Sequence, residues 1–68
     1  MSARIKAALA LDVPPDADRA TLEAARTVIH EGLLAAERDG HHAIADVLDA
    51  KRRDVQERIE RHQNEASS

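Results

Sequence analysis

The chain has 68 residues, a formal net charge of −3, and 43% hydrophobic against 34% charged residues. That balance fits one small, soluble, folded domain and excludes a multidomain protein or a wholly disordered chain. With no cysteine and no aromatic residue, a disulfide-stapled scaffold, a cysteine zinc module and a base-stacking surface are excluded as well. No apolar run approaches the ~18 residues that span a bilayer, and the first residues lack a signal-peptide pattern. The acidic balance suits neither an anionic lipid surface nor a dedicated nucleic-acid binder. A cytoplasmic protein with no membrane partner is the expectation.

Residues 2–11 are expected to form a short, alanine-rich helix in which Ile5, Ala8 and Leu9 share one face. About ten residues are too few to hold a helix without docking. Asp12-Val13-Pro14-Pro15 then ends it, because the residue before a proline is pushed out of the α region. Asp16 or Asp18 can cap the next helix by accepting a free backbone N–H.

The second helix is expected over residues 19–39, with Gly40 as its left-handed C-cap. Its main apolar stripe is Leu22, Ala25, Ile29, Leu33 and Ala36, flanked by a smaller strip of Ala24, Val28 and Ala35. That arc is too wide for one neighbour. Leu34 falls outside both strips, among Glu23, Thr27, His30 and Arg38. The third helix is expected over residues 42–62, carrying Ile44, Leu48, Val55 and Ile59, with Val47 at one flank. Lys51 and His62 sit on the same line. Acids precede bases by four residues at Asp49–Arg53, Asp54–Arg58 and Glu57–Arg61, a spacing worth roughly 0.2–0.5 kcal/mol per pair.

The short Asp39-Gly40 link makes the two long helices antiparallel neighbours. Folding at Gly40 sets Ile44 opposite Ala36, Leu48 opposite Leu33, Val55 near Ala25 and Ile59 opposite Leu22. Lys51 comes opposite Ile29 and His30, and His62 opposite the Asp18 end. The expected fold is all-α: a short N-terminal helix, then a long antiparallel hairpin, completed as a helical bundle on self-association. The domain spans residues 1–63, and residues 64–68 are a frayed polar tail.

The stretch Leu11-Asp12-Val13-Pro14-Pro15-Asp16-Ala17-Asp18-Arg19-Ala20-Thr21-Leu22 resembles the turn between the first two helices of J-domain co-chaperones. The likeness covers under a fifth of the chain. The His-Pro-Asp signature of that family is missing; where it might fall, the chain reads Arg38-Asp39-Gly40-His41-His42. No function is carried over.

Chemistry does not converge anywhere in the pattern. The serines, Ser2, Ser67 and Ser68, lie at the ends of the chain, where no structure pins a nucleophile. The acids alternate with bases on solvated faces, without a pocket to separate their pKa values. His41 and His42 sit beside Glu37 and Asp39, yet adjacent histidines splay apart on a helix and do not meet metal geometry. No enzyme activity, cofactor or metal is expected, and a metal-responsive role for His41 and His42 ranks last.

The basic run Lys51-Arg52-Arg53 supports an alternative, a nucleic-acid-associated regulator. Its bases point in three directions and are answered by Asp49, Asp54 and Glu57, so nucleic acid is not the favoured partner. Lys51 itself reads as a snorkelling lysine packed on Ile29, or as a specificity device on the core line. Below about 70–80 residues one core rarely supplies more than ~3–5 kcal/mol, and a partner chain is the simplest supplement. The expected function is therefore a small protein–protein interaction module: an adaptor, inhibitor or regulatory subunit that forms a homodimer, binds a protein partner, or both. Its candidate contact residues are Leu11, Ala24, Val28, Leu34, Ala35 and Lys51.

Overall fold

The computed structural model describes residues 2–67, and the side chains of residues 2–65. Met1 and Ser68, an apolar candidate and the end of the expected tail, lie outside the described residues. Three helices follow in order: α1 Ala3–Ala10, α2 Arg19–Arg38 and α3 His42–Ser67. Among the described residues there is no strand.

The first two helices each begin at a side-chain cap. Ser2 caps α1, its hydroxyl accepting the Ile5 N–H at 3.2 Å. Asp18 caps α2, its carboxylate accepting the Thr21 N–H at 2.8 Å. Both satisfy a backbone donor that the first helical turn leaves without a partner. The hydrogen bonds to Thr21, with His62 nearby, hold the Asp18 carboxyl below its ordinary 3.8. The cap therefore contributes stability fully above that unfolded-state value and loses it as pH falls through the lower folded-state value. Asp18→Asn, which caps without titrating, should make the acid loss of helicity smaller than in the wild type, read by far-ultraviolet circular dichroism. Equal acid curves would remove Asp18 as a contributor.

The turn between α2 and α3 is a Schellman motif. The Gly40 N–H donates to the Glu37 carbonyl at 3.2 Å and the His41 N–H to the Ala36 carbonyl at 2.9 Å. Gly40 has φ 78°, a left-handed value open to glycine without strain. This turn reverses the chain and sets α3 along α2. The Arg26 guanidinium donates to the Gln56 side-chain oxygen across the hairpin at 2.9 Å, in line with the Val55–Ala25 register. Leu22, Ala25, Ile29, Leu33 and Ala36 of α2 and Leu48, Val55 and Ile59 of α3 are all buried in one cluster. Ile44 packs against it partly buried.

Helix α3 does not end at residue 62 as expected; it continues through Ser67. Nothing between His62 and Ser67 breaks a helix, since glycine and proline are absent there. A polar composition alone does not stop one.

Helix α1 docks on α2 beside α3, at Gly32. Ile5 and Ala8 lose all exposure, and fully burying an isoleucine is worth about 1.5–3 kcal/mol. The close approach is made possible by Gly32, in the middle of α2. A Cβ there would overlap the Ala8 methyl and come within 3.0 Å of the Arg4 carbonyl oxygen. The absent side chain lets two backbones touch.

Candidate functional site

The residues singled out from the sequence fall into three places. Leu11, Ala24 and Val28 come together. With Asp12, Val13, Thr21 and Ala25 they line an apolar groove of about 180 Å³ where the α1–α2 linker runs beside α2. Leu11 and Val13 lie partly buried against the core, Val28 is half-buried, and Ala24 is exposed. Part of the small strip on α2 is thus covered by the linker, and part remains open.

Ala35 belongs to the same strip by spacing but is only 4% exposed. It is part of the core and has almost no surface left for a partner. The groove ends short of it.

Leu34 stands apart, 51% exposed. Val47, at the flank of the α3 stripe, is 56% exposed, and Leu9 is 38% exposed. The other large aliphatic side chains of the helices are buried or half-buried. Beside Leu34 along α2, a cleft of about 280 Å³ is lined by Arg26, Thr27, His30 and Glu31, with Arg52 from α3. The Arg52 Nε in its wall is buried with no hydrogen-bond partner.

Lys51 has hydrogen-bond acceptors that neither reading of the sequence named. Its ammonium donates to the Ala8 and Leu9 carbonyl oxygens, at 3.0 and 3.1 Å. The last carbonyls of a helix have no partner within it, and a cation at that end also meets the negative pole of the helix dipole. Arg58 makes a parallel contact one step on, donating to the Pro14 carbonyl oxygen. Two cations of α3 thus hold the end of α1 and the linker. Lys51→Met keeps the stem and removes the donors, with an expected loss of about 1 kcal/mol. Amide exchange should then speed up in α1 and stay slow in the hairpin; unchanged α1 protection would contradict the cap.

The two arginines of the basic run share one carboxylate, which offsets one of their two charges. Arg52 donates to Asp49 at 2.7 Å, and Arg53 pairs with its other oxygen at 3.0 Å. The Arg52 hydrogen bond, with Arg53 adding to it, holds the Asp49 carboxyl below its ordinary 3.8. None of the three bases at 51–53 is left without a partner.

His41 and His42 are exposed beyond the turn. Among the described residues no three histidine or acidic side chains converge as a metal-holding group. No described helix is long and apolar enough to cross a membrane. A small polar cleft at the other end of the hairpin is lined by Pro15, Ala17, Arg58, Arg61, His62 and Glu65. There Arg58 already serves the linker, and Arg61 lies 3.9 Å from Glu57.

Two features of this arrangement escaped the sequence. One is Gly32, which sits inside a strong helical pattern and looks there like a propensity defect. A glycine one turn from the main stripe was the available signal, since a buried mid-helix glycine often marks close packing. The other is the role of Lys51, which depends on where α1 docks. Compared with known families, curated proteins and solved structures, the chain shows no match.

Proposed function

We propose that this protein is a small protein–protein interaction module, an adaptor, inhibitor or regulatory subunit that works through its helix faces. The observation that carries the reading is the exposed apolar surface left by a core that is otherwise well filled. Leu34 and Val47 are more than half exposed, and the Leu11–Val13 groove is open over Ala24 and Val28. In a domain this small, another chain can cover such surface and add to a small core. A homodimer is the simplest form of that association, since two hairpins side by side make a four-helix arrangement. The net charge of −3 and the engagement of Lys51, Arg52 and Arg53 by groups of the chain itself support the protein partner over nucleic acid, which needs bases free to meet phosphates on one face.

Site-specific photocrosslinking tests this reading in cells that express the chain natively. A benzophenone side chain at Ala24 or Val47 should give discrete protein adducts, and one at Asp54, on a solvated face, should give none. Absence of protein adducts from both apolar positions would overturn the proposal.

A further inference from the structure

The side of α2 turned away from α1 carries a charge pattern that a second copy of the chain completes. A helix advances about 100° and 1.5 Å per residue. Gly32, where α1 docks, therefore lies about 160° around α2 from Leu34, and Leu33, in the core, about 100° away. Leu34 sits on the uncovered side. Glu31, three residues before it, and Arg38, four after it, fall on one flank of Leu34, each within about 60°. His30, four before, and Glu37, three after, fall on the other flank at the same offsets. All four are exposed. Among the described residues Glu31, His30 and Glu37 make no ion pair, and Arg38 has only its chain neighbour Asp39, at 3.7 Å.

We infer that the chain self-associates through this face, α2 against α2 in antiparallel, with Leu34 on the two-fold axis. This rests on the reading above and commits it to one occupant, a second copy. A two-fold axis perpendicular to the helices lays each flank along the same flank of the partner, run in reverse. Glu31 then stands level, to within about 1.5 Å along the axis, with the partner's Arg38. Arg38 stands equally close to the partner's Glu31. On the other flank His30 can donate a hydrogen bond to the partner's Glu37, and the reverse. Leu34 packs on the partner's Leu34 between these rows. The two helix dipoles run opposed, which favours this orientation over a parallel one. One leucine per copy with a polar rim makes a small interface, so the dimer is weak, reversible and weakened by salt.

The test is sedimentation equilibrium from ~10 μM to ~1 mM, a range that covers weak dissociation constants. Glu31→Arg and Arg38→Glu should each raise the dissociation constant about tenfold, because each places like charges together at both symmetric contacts. An equimolar mixture of the two variants should associate at least as tightly as the wild type, since every like-charge contact becomes an opposite one. Both positions are exposed, so thermal melting of the dilute variants should match the wild type and exclude a folding defect. A mixture no tighter than either variant alone would overturn the antiparallel pairing. That includes the parallel case, where Glu31 would meet His30 and Arg38 would meet Glu37. A wild type that stays monomeric throughout would overturn the self-pairing, while photocrosslinks to a different protein would leave the module reading standing.

Discussion

Gly32→Ala is expected to destabilise the protein by about 2 kcal/mol, against the trend for alanine in a helix. Alanine is intrinsically better than glycine there by about 1 kcal/mol, so an unconstrained site would gain stability. At Gly32 the new methyl would overlap Ala8 and press on the Arg4 carbonyl oxygen. The second of these is backbone and cannot turn aside; only a shift of α1 as a body relieves it. Such overpacking costs typically about 1–3 kcal/mol, to which the loosened burial of Ile5 and Ala8 is added. The substitution therefore moves α1 off its seat, and Lys51 loses the geometry of its cap. The signature is a lower melting temperature together with fast amide exchange confined to α1. A stabilised variant would mean that α1 does not lie against α2 at this point.

Leu48→Ala should cost about 2–5 kcal/mol, the range for a buried leucine that leaves a cavity. Leu48 has no exposed surface, and its Cδ1 would lie 3.5 Å from a Cβ at Gly32, so it fills the space where all three helices meet. Collapse around the cavity is hindered because the neighbours there are Ala8 and Gly32, which have no side chain to spare. Total stability in a domain of this kind is a few kcal/mol, so the variant should be largely unfolded at room temperature by circular dichroism. Val47→Ala, one residue earlier but 56% exposed, should change stability by no more than about 0.5 kcal/mol. Equal effects at the two positions would mean that the α3 stripe does not face α2.

The hairpin could be read from the amino acids because its signals are local and agree with one another. Asp18 caps, Gly40 turns, and the three-and-four spacing of Leu22, Ile29, Leu33, Leu48, Val55 and Ile59 leaves one register in which large faces small. The placement of α1 could not be read this way. It depends on a backbone approach at Gly32 and on cations at Lys51 and Arg58 reaching carbonyls some forty residues away, and carbonyl groups leave no mark in a side-chain pattern. For the same reason Lys51 looked like a property of the hairpin core, when its partner is the end of another helix. Of the contact residues, Leu11, Ala24 and Val28 do share one groove, since the Pro14-Pro15 break lays the linker along α2. Ala35 was misjudged because spacing alone does not say how far along a strip a neighbouring helix reaches.

These internal attachments shape what remains for a partner. Lys51 and Arg58 are engaged in holding α1 and its linker, and Arg52 and Arg53 share Asp49. About Leu34, Glu31, His30 and Glu37 make no ion pair and Arg38 has only Asp39. The groove over Ala24 and Val28 lies on the α1 side, well around the helix from Leu34, so a self-paired chain would still present it.

Pairing of two chains through Leu34 is measured most directly by an isotope-filtered nuclear Overhauser experiment on an equimolar mixture of ¹³C-labelled and unlabelled chains at high concentration. Intermolecular contacts are expected from the Leu34 methyls to the partner's Leu34, and none from the buried Ile29. Intermolecular contacts centred on Leu11 and Val28 without Leu34, or none at any methyl, would contradict it.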